Sequence, residues 1–431
     1  MGGSSISNRT ELEARQLERL RELLSELGSG NPFYAPRLRA AGLGGELASL
    51  AEFRARMPFT TKADLVEDQS ANPPYGTNLT FPRERYVRLH QTSSTTGRPL
   101  RWLDTRESWS WMRGSWRTVL RSAGITAEDR LLFAFSFGPF IGFWLGFEAA
   151  QELGALCIPG GPTGSEARLE IMRANAVTVL CCTPTYAVRL GELARDMEAG
   201  AGIALRAIVV GGEPGGCVPA TRARIEALWP GARVFDHYGM TEIGPVTFQA
   251  LADPPDVVRL IESDVLVEII DPATGEPLTP GTDALGELVL TSFGRVGSPL
   301  LRYRTGDLVR PLPATEDDPS RRLAGGILAR ADQMLVVRGV NVFPSAVEDV
   351  VRGFADVVEH RVEVDRSGAM IELRLTIEPA PACADTASLC NELECALRKA
   401  FSLRIPVRHV SSGELPRFDL KARRWIDEHG D

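Results

Sequence analysis

Leucines recur at helical spacing at Leu17, Leu20, Leu24 and Leu27, and the run stops at Gly28-Ser-Gly-Asn-Pro32, so the chain is predicted to open with an amphipathic surface helix. Thr10 followed by Glu13 has capping-box spacing and is expected to start that helix. Thr61 with Asp64 repeats the signal and places Lys62 in the first turn of a short helix. Residues 86–90 then alternate as in a strand and lead into Gln91-Thr-Ser-Ser-Thr-Thr-Gly-Arg-Pro99.

From about residue 105 to 245 amphipathic and wholly apolar stretches take turns. Helices are predicted at 109–123, 140–153, 165–174 and 186–199, and buried strands at 130–135, 155–158, 177–182 and 207–210. That alternation specifies an α/β fold with a largely parallel sheet, whose ligands sit beyond the carboxyl ends of the strands. After Asp264 the period changes: 265–270 and 286–291 read as an antiparallel pair across a long turn, and a strand follows at 326–329. Beyond Asp332 come a helix at 345–353, strands at 359–364 and 370–377, a helix at 386–401 and a last strand. Two domains are therefore expected, 1–331 and a small α+β unit at 332–431.

The longest charge-free apolar run, residues 131–147, is short for a bilayer span and is broken by Pro139, so no membrane segment is expected. Gly138, Gly142 and Gly146 recur every fourth residue within it, a spacing that lets a bare helix face approach a neighbour or ligand closely. The net charge of −8 argues against nucleic-acid binding. Seven cysteines at irregular spacing suggest neither a disulfide framework nor a metal site, and a reducing cytoplasm is the expected setting. Of the 48 basic residues only three are lysine, Lys62, Lys399 and Lys421, so any chemistry that needs an ammonium has three candidates.

The strand-end segments carry the candidate chemistry. Thr92-Ser-Ser-Thr-Thr-Gly97 offers hydroxyls and flexible backbone N–H groups to an anion such as a polyphosphate; a plain polar surface turn is the alternative. Gly211-Gly-Glu-Pro214 and Asp236-His-Tyr-Gly-Met-Thr-Glu242 each follow an apolar strand and present backbone and a carboxylate there. In the second, Tyr238 suits base stacking and Glu242 suits Mg²⁺, unless Thr241 simply caps a helix with Glu242 in its first turn. Asp307, after Gly306, suits a vicinal diol such as ribose, or is an ordinary Asp turn. Residues 330–344 mix charge and glycine between two strand patterns, and Gly413-Glu-Leu-Pro-Arg-Phe-Asp-Leu-Lys421 closes the series or is a solvated tail.

In order and spacing, with Asn31-Pro-Phe-Tyr34, Pro58-Phe-Thr-Thr-Lys62, Tyr303-Arg-Thr-Gly-Asp307 and Arg338-Gly-Val-Asn-Val-Phe-Pro344, these segments resemble the acyl-adenylate-forming superfamily, above all the phenylacetate-CoA ligase family. The resemblance implies a large adenylate-forming domain with parallel α/β sheets and a small β subdomain, plus a mobile C-terminal domain. It implies an ATP-dependent aryl acid–CoA ligase that forms acyl-AMP and transfers the acyl group to coenzyme A. Lys421 would be the catalytic lysine. ATP or AMP would be bound by Thr92, Ser93, Thr95, Thr96, Glu213, Pro214, Asp236, His237, Tyr238, Gly239, Thr241, Asp307 and Arg330, with Mg²⁺ near Glu242. Phe135, Ser136, Phe140, Gly211, Gly212 and His237 would line the aryl pocket, with Phe137 beside them. Asp332 would be the hinge, and Arg338, Gly339, Val340 and Asn341 would line the path of CoA.

Ser94, Arg98 and Leu420 depart from the family pattern, which has Gly, Lys and Gly there, and residues 248–264 lack the Cys and His ligands of some relatives, so no structural zinc is expected. The implied partners are an aromatic acid, ATP and CoA, and a homodimer is compatible with the sequence. An aminobenzoate such as anthranilate is the preferred acid. An enzyme that loads a carrier protein and a nucleotide-binding relative without catalysis are the alternatives.

Overall fold

A computed structural model of the 431-residue chain describes residues 8–92, 99–135, 137–197, 200, 202–278, 281, 284–313, 319–333, 335–338, 340–366, 371–418 and 424–427, apart from the side chains of residues 143, 332, 336 and 341.

The parallel sheet is built from the apolar runs at 130–210. Its strands lie in the order Leu156–Pro159, Arg130–Phe133, Val179–Cys182, Ala207–Val210, Arg233–Asp236, all parallel. The central strands are buried along their whole length because helices cover both faces. On one face Arg106–Ser122 and Gly142–Glu152 pack with Trp116, Phe133, Leu145 and Phe235; on the other Ser165–Ala174, Pro184–Asp196 and Pro219–Leu228 pack with Leu190, Ile208 and Trp229. The apolar run 131–147 begins in the strand Arg130–Phe133 and ends in the helix Gly142–Glu152, and no helix among the described residues is long and apolar enough to cross a membrane.

A second sheet of six antiparallel strands lies beside it, in the order Thr247–Phe248, Val257–Leu260, Arg322–Arg330, Tyr303–Pro311, Gly286–Ser292, Val265–Ile270. The expected pair at 265–270 and 286–291 is present with Val265 opposite Ser292. The strand expected at 326–329 is nine residues long, Arg322–Arg330, because long-range pairing to Tyr303–Pro311 carries it through Gly325 and Gly326. From Leu335 onward a separate core forms: Val347, Val351, Leu393 and Leu397 of the helices Pro344–Arg352 and Thr386–Phe401 pack on Val362, Leu375 and Ile377 of a four-stranded sheet. The last strand, Trp425–Asp427, lies parallel to Val357–Asp365, so these three residues are built into that sheet.

The capping expectations divide. Lys62–Ala71 has the reciprocal cap: Asp64 N–H donates to Thr61 Oγ1 (3.2 Å) and Thr61 N–H to Asp64 Oδ2 (2.7 Å). The first helix, Arg9–Gly30, starts two residues earlier than expected, since Asn8 is the cap and accepts from Glu11 N–H at 2.9 Å, leaving Thr10 inside the first turn. Two cap-forming residues stood two positions apart, and Asn is the stronger.

Candidate active site

The turns after the parallel strands converge with the antiparallel sheet. Tyr238, two residues past Arg233–Asp236, is held by its own N–H donating to Thr247 Oγ1 (2.8 Å), and its phenol donates to Asp307 Oδ2. Asp307 sits on Tyr303–Pro311 opposite Arg330 of the next strand, and Arg330 Nη1 donates to Asp307 Oδ1 at 3.1 Å. Gly306 has φ +74°, and a Cβ there would stand 3.3 Å from the Arg330 guanidinium, so this irregular point in the strand is shaped by glycine. Asp307 is 4% exposed. Burial, and then the Asp307 carboxylate, push the Tyr238 phenol far above its ordinary pKa, so it remains a donor.

Glu242 does not begin a helix. Gly239–Met240 turns back on Gly244–Pro245 as a tight hairpin, and Glu242 lies buried at its tip. Burial raises its pKa, while the charges of Lys62 and Arg295 pull the other way. The hairpin is carried by a cation that sequence reading did not single out. Arg295 Nη1 donates to Thr241 O (2.5 Å), and the same guanidinium forks onto Asp104 at 2.7 and 2.8 Å, with both side chains fully buried. The neighbouring turn has similar support. Arg222, 6% exposed, donates to Gly216 O (2.8 Å), Val234 O (2.6 Å) and Gln249 Oε1 (2.6 Å), and Asp236 Oδ2 accepts from Cys217 N–H at 2.8 Å. Glu213 accepts from Thr185 N–H at 2.9 Å, while Pro214 and Gly212 are exposed beside it.

His237 and Gly211 close on each other at the ends of two adjacent strands. His237 N–H donates to Val210 O (3.0 Å), and a Cβ on Gly211 would lie 2.9 Å from the imidazole. Trp116 meets the imidazole edge-on, with ring centroids 4.3 Å apart. Burial lowers the His237 pKa to about 4, so the ring is neutral at pH 7. Phe137, at φ +45°, packs edge-on against Trp144 (4.9 Å) and Phe147 (5.4 Å), and Phe135 packs on the same core. Phe140 is 46% exposed, and beside it Gln91 N–H donates to Pro139 O at 2.9 Å.

Thr92 closes the neck of the hydroxyl loop. Its N–H donates to Leu100 O and its Oγ1 accepts from Leu100 N–H, both at 3.0 Å, while Ser93, Thr95 and Thr96 lie outside the described residues. Ser136, Gly339 and Lys421 are also outside them, with Ser94, Arg98 and Leu420. Asp332 falls in the short turn Ala331–Gln333, between the two cores. Arg338 forms the tip of the hairpin Leu335–Val337 and Val340–Val342, and reaches Glu372 at 2.5 Å; Val340 and Asn341 are on the second strand. On either side of 419–423 the C-terminal segment is anchored by buried carboxylates. Glu378 takes Gly413 N–H (2.8 Å) and Arg417 (3.0 Å), and Glu359 takes Arg424 at 2.6 Å. Burial lowers the Arg424 pKa, but the hydrogen bond and charge of Glu359, with the charges of Glu348 and Glu213, outweigh it. Arg352 donates to Thr221 Oγ1 (2.8 Å) and Arg224 to Val357 O (3.3 Å) across the two cores.

Two sequence profiles match this chain, that of the AMP-binding enzyme over residues 57–294 and that of the AMP-binding enzyme C-terminal domain over 339–429. A phenylacetate-coenzyme A ligase of Escherichia coli (strain K12) is 32% identical over 97% of this chain and 95% of its own length. A crystal structure of 2-hydroxyisobutyryl-CoA ligase in the postadenylation state, in complex with R3-HIB-AMP, is 27% identical, covers 98% of this chain and 90% of its own, and superposes with a TM-score of 0.86. The thioesterification-state structure of 2-hydroxyisobutyryl-CoA ligase, with 2-HIB-AMP and CoA, is 29% identical over 97% of this chain and 90% of its own, at a TM-score of 0.68.

Proposed function

The chain belongs to the AMP-binding enzyme family, in its phenylacetate-CoA ligase-like group, and from that premise we propose that it is an AMP-forming aryl acid–CoA ligase. The observation that carries the nucleotide half of this reading is the convergence of Tyr238 and Arg330 on the two oxygens of buried Asp307. A ribose diol donates two hydrogen bonds to such a carboxylate. In taking them Asp307 releases the phenol, and the ring of Tyr238 is then placed to lie along the adenine, framed by Glu213 and Pro214.

In the first half-reaction a carboxylate oxygen of the acid attacks the α-phosphorus of ATP; the O–P bond forms, the bond to the β-phosphate breaks, and pyrophosphate leaves with the electron pair. Two anions must meet, so cations at the α-phosphate dominate the barrier. Lys421 is assigned that position, bridging carboxylate and phosphate. Glu242 fits Mg²⁺, which takes one or two carboxylates plus substrate phosphates, since it is a buried carboxylate at the tip of a fixed hairpin; the ion supplies charge neutralisation when bound. In the second half-reaction the CoA sulfur bonds to the acyl carbon, the bond to AMP breaks and the thiol proton passes to solvent.

The acid is assigned to the Gly211–His237 pocket, where neutral His237 favours an amino or hydroxyl ring substituent over a charged one; anthranilate is the specific candidate. Residues 332–431 are assigned as a mobile domain pivoting at Asp332, with Arg338 to Asn341 along the CoA path, and the setting as cytoplasmic. Incubation with ATP, an aryl acid and either free CoA or a phosphopantetheinylated carrier tests the acceptor. An aryl-CoA product is expected; acylation of the carrier alone would replace this reading with carrier loading.

A further inference from the structure

The helix Arg106–Ser122 packs on the parallel sheet by its apolar face, and its Trp116 is 1% exposed, against 3% for Trp109. One edge of the indole meets the His237 ring at 4.3 Å with the planes at 62°. The six-membered ring of the indole is met by Gly146 of the helix Gly142–Glu152: a Cβ on Gly146 would lie 3.2 and 3.3 Å from it and 3.3 Å from Phe133 Cε1. The indole is therefore in contact both with His237 and with a helix face that only glycine allows to come so close. His237 in turn cannot retreat toward the sheet, because Gly211 is already against it.

We propose that Trp116 sets the depth of the acyl pocket, by backing His237 so that the imidazole marks where the acid's ring must end. The assignment rests on the reading that His237 and Gly211 line the acid's site. Trp116 acts through His237 and is a specificity-positioning residue, and Gly146 fixes how far it stands from the pocket. Shrinking the indole lets His237 withdraw and admits a longer aromatic acid. Adding a methyl at Gly146 pushes the indole toward His237 and has the opposite effect.

The test compares Trp116→Phe, Trp116→Leu and Gly146→Ala with the unaltered protein in carboxylate-dependent ATP–pyrophosphate exchange, using benzoate and 2-naphthoate. Size discrimination in an apolar pocket amounts to about 10–200-fold per methylene-sized step. The ratio of kcat/KM for 2-naphthoate over benzoate is expected to rise about tenfold or more in the Trp116 variants and to fall in Gly146→Ala. Thermal melts identify any variant that does not fold, and the Phe and Ala variants are the mild ones. Equal loss on both acids in folded variants, with the ratio unchanged, would overturn the proposal and leave Trp116 as core packing. Affinities for the two aroyl-adenosine sulfamates, measured by calorimetry, give the same ratio without turnover. Sulfamate binding without exchange would reject the ligase reading alone, and the Trp116 proposal would then stand or fall on the affinity ratios. Binding of neither compound would reject both.

Discussion

Asp307→Asn is the substitution that most sharply separates nucleotide recognition from the rest of the site. The asparagine keeps the shape and one acceptor oxygen but removes the charge that Arg330 meets at 3.1 Å and that the phenol of Tyr238 also meets. A hydrogen bond to a charged group is worth about 1.5–3 kcal/mol net, and at about 1.4 kcal/mol per decade the KM for ATP should rise about 10- to 150-fold. The KM for the acid should stay within about twofold, since Asp307 belongs to the antiparallel sheet and the acid is assigned to the turns of the parallel one. Pyrophosphate exchange with ATP and with 2′,3′-dideoxy-ATP closes a double cycle: the unaltered protein should disfavour the dideoxy nucleotide by a similar factor, and Asp307→Asn should lose most of that preference. If the variant still discriminates fully between the two nucleotides, Asp307 does not hold the ribose and the assignment is refuted.

Lys421→Ala is expected to abolish adenylate formation while leaving thioester formation from supplied acyl-AMP largely intact; equal loss of both, in single-turnover assays of each half-reaction, would contradict its role. Arg295→Ala should cost about 3–5 kcal/mol, because fully buried Asp104 loses its guanidinium partner, and a urea midpoint unchanged from the parent would show that the pair and the Thr241 contact support nothing. For His237, folded and unfolded forms are both neutral above about pH 6.5, so it adds no pH dependence there. As pH falls below that value the unfolded chain protonates first, and stability drops by about 3 kcal/mol by the time the folded ring protonates near a pKa of about 4. His360, whose pKa burial also lowers, acts in the same direction. Urea unfolding at pH 7 and pH 5 should therefore show a smaller difference for His237→Asn than for the parent, and equal differences would refute the burial argument.

How much of this was legible in the sequence depends on how local the signal was. Ser165–Ala174, Ala207–Val210, Val265–Ile270 and Thr386–Phe401 end where periodicity and flanking residues end them. Strand-end turns stood out for the same reason, apolar runs giving way to glycine and carboxylates, and so Glu213, Tyr238, Glu242 and Asp307 were readable as candidates. What holds those turns was not. Arg295 pairs with Asp104 across 191 residues and Arg222 grips Gln249 from 27 residues away. In a chain with 45 arginines nothing local marks the few that are buried. Trp116 was readable as one apolar position of a helix, but its contact with His237 arises only when helix and sheet pack.

The central claim is that this chain joins a carboxylic acid to AMP. Pyrophosphate exchange into ATP, measured across anthranilate, hydroxybenzoates, benzoate and phenylacetate, tests it most directly. Exchange that depends on at least one of these acids, converted to AMP and an aryl thioester when CoA is added, is the predicted result. ATP binding without exchange for any acid in the panel would contradict it and identify a nucleotide-binding protein that no longer activates an acid.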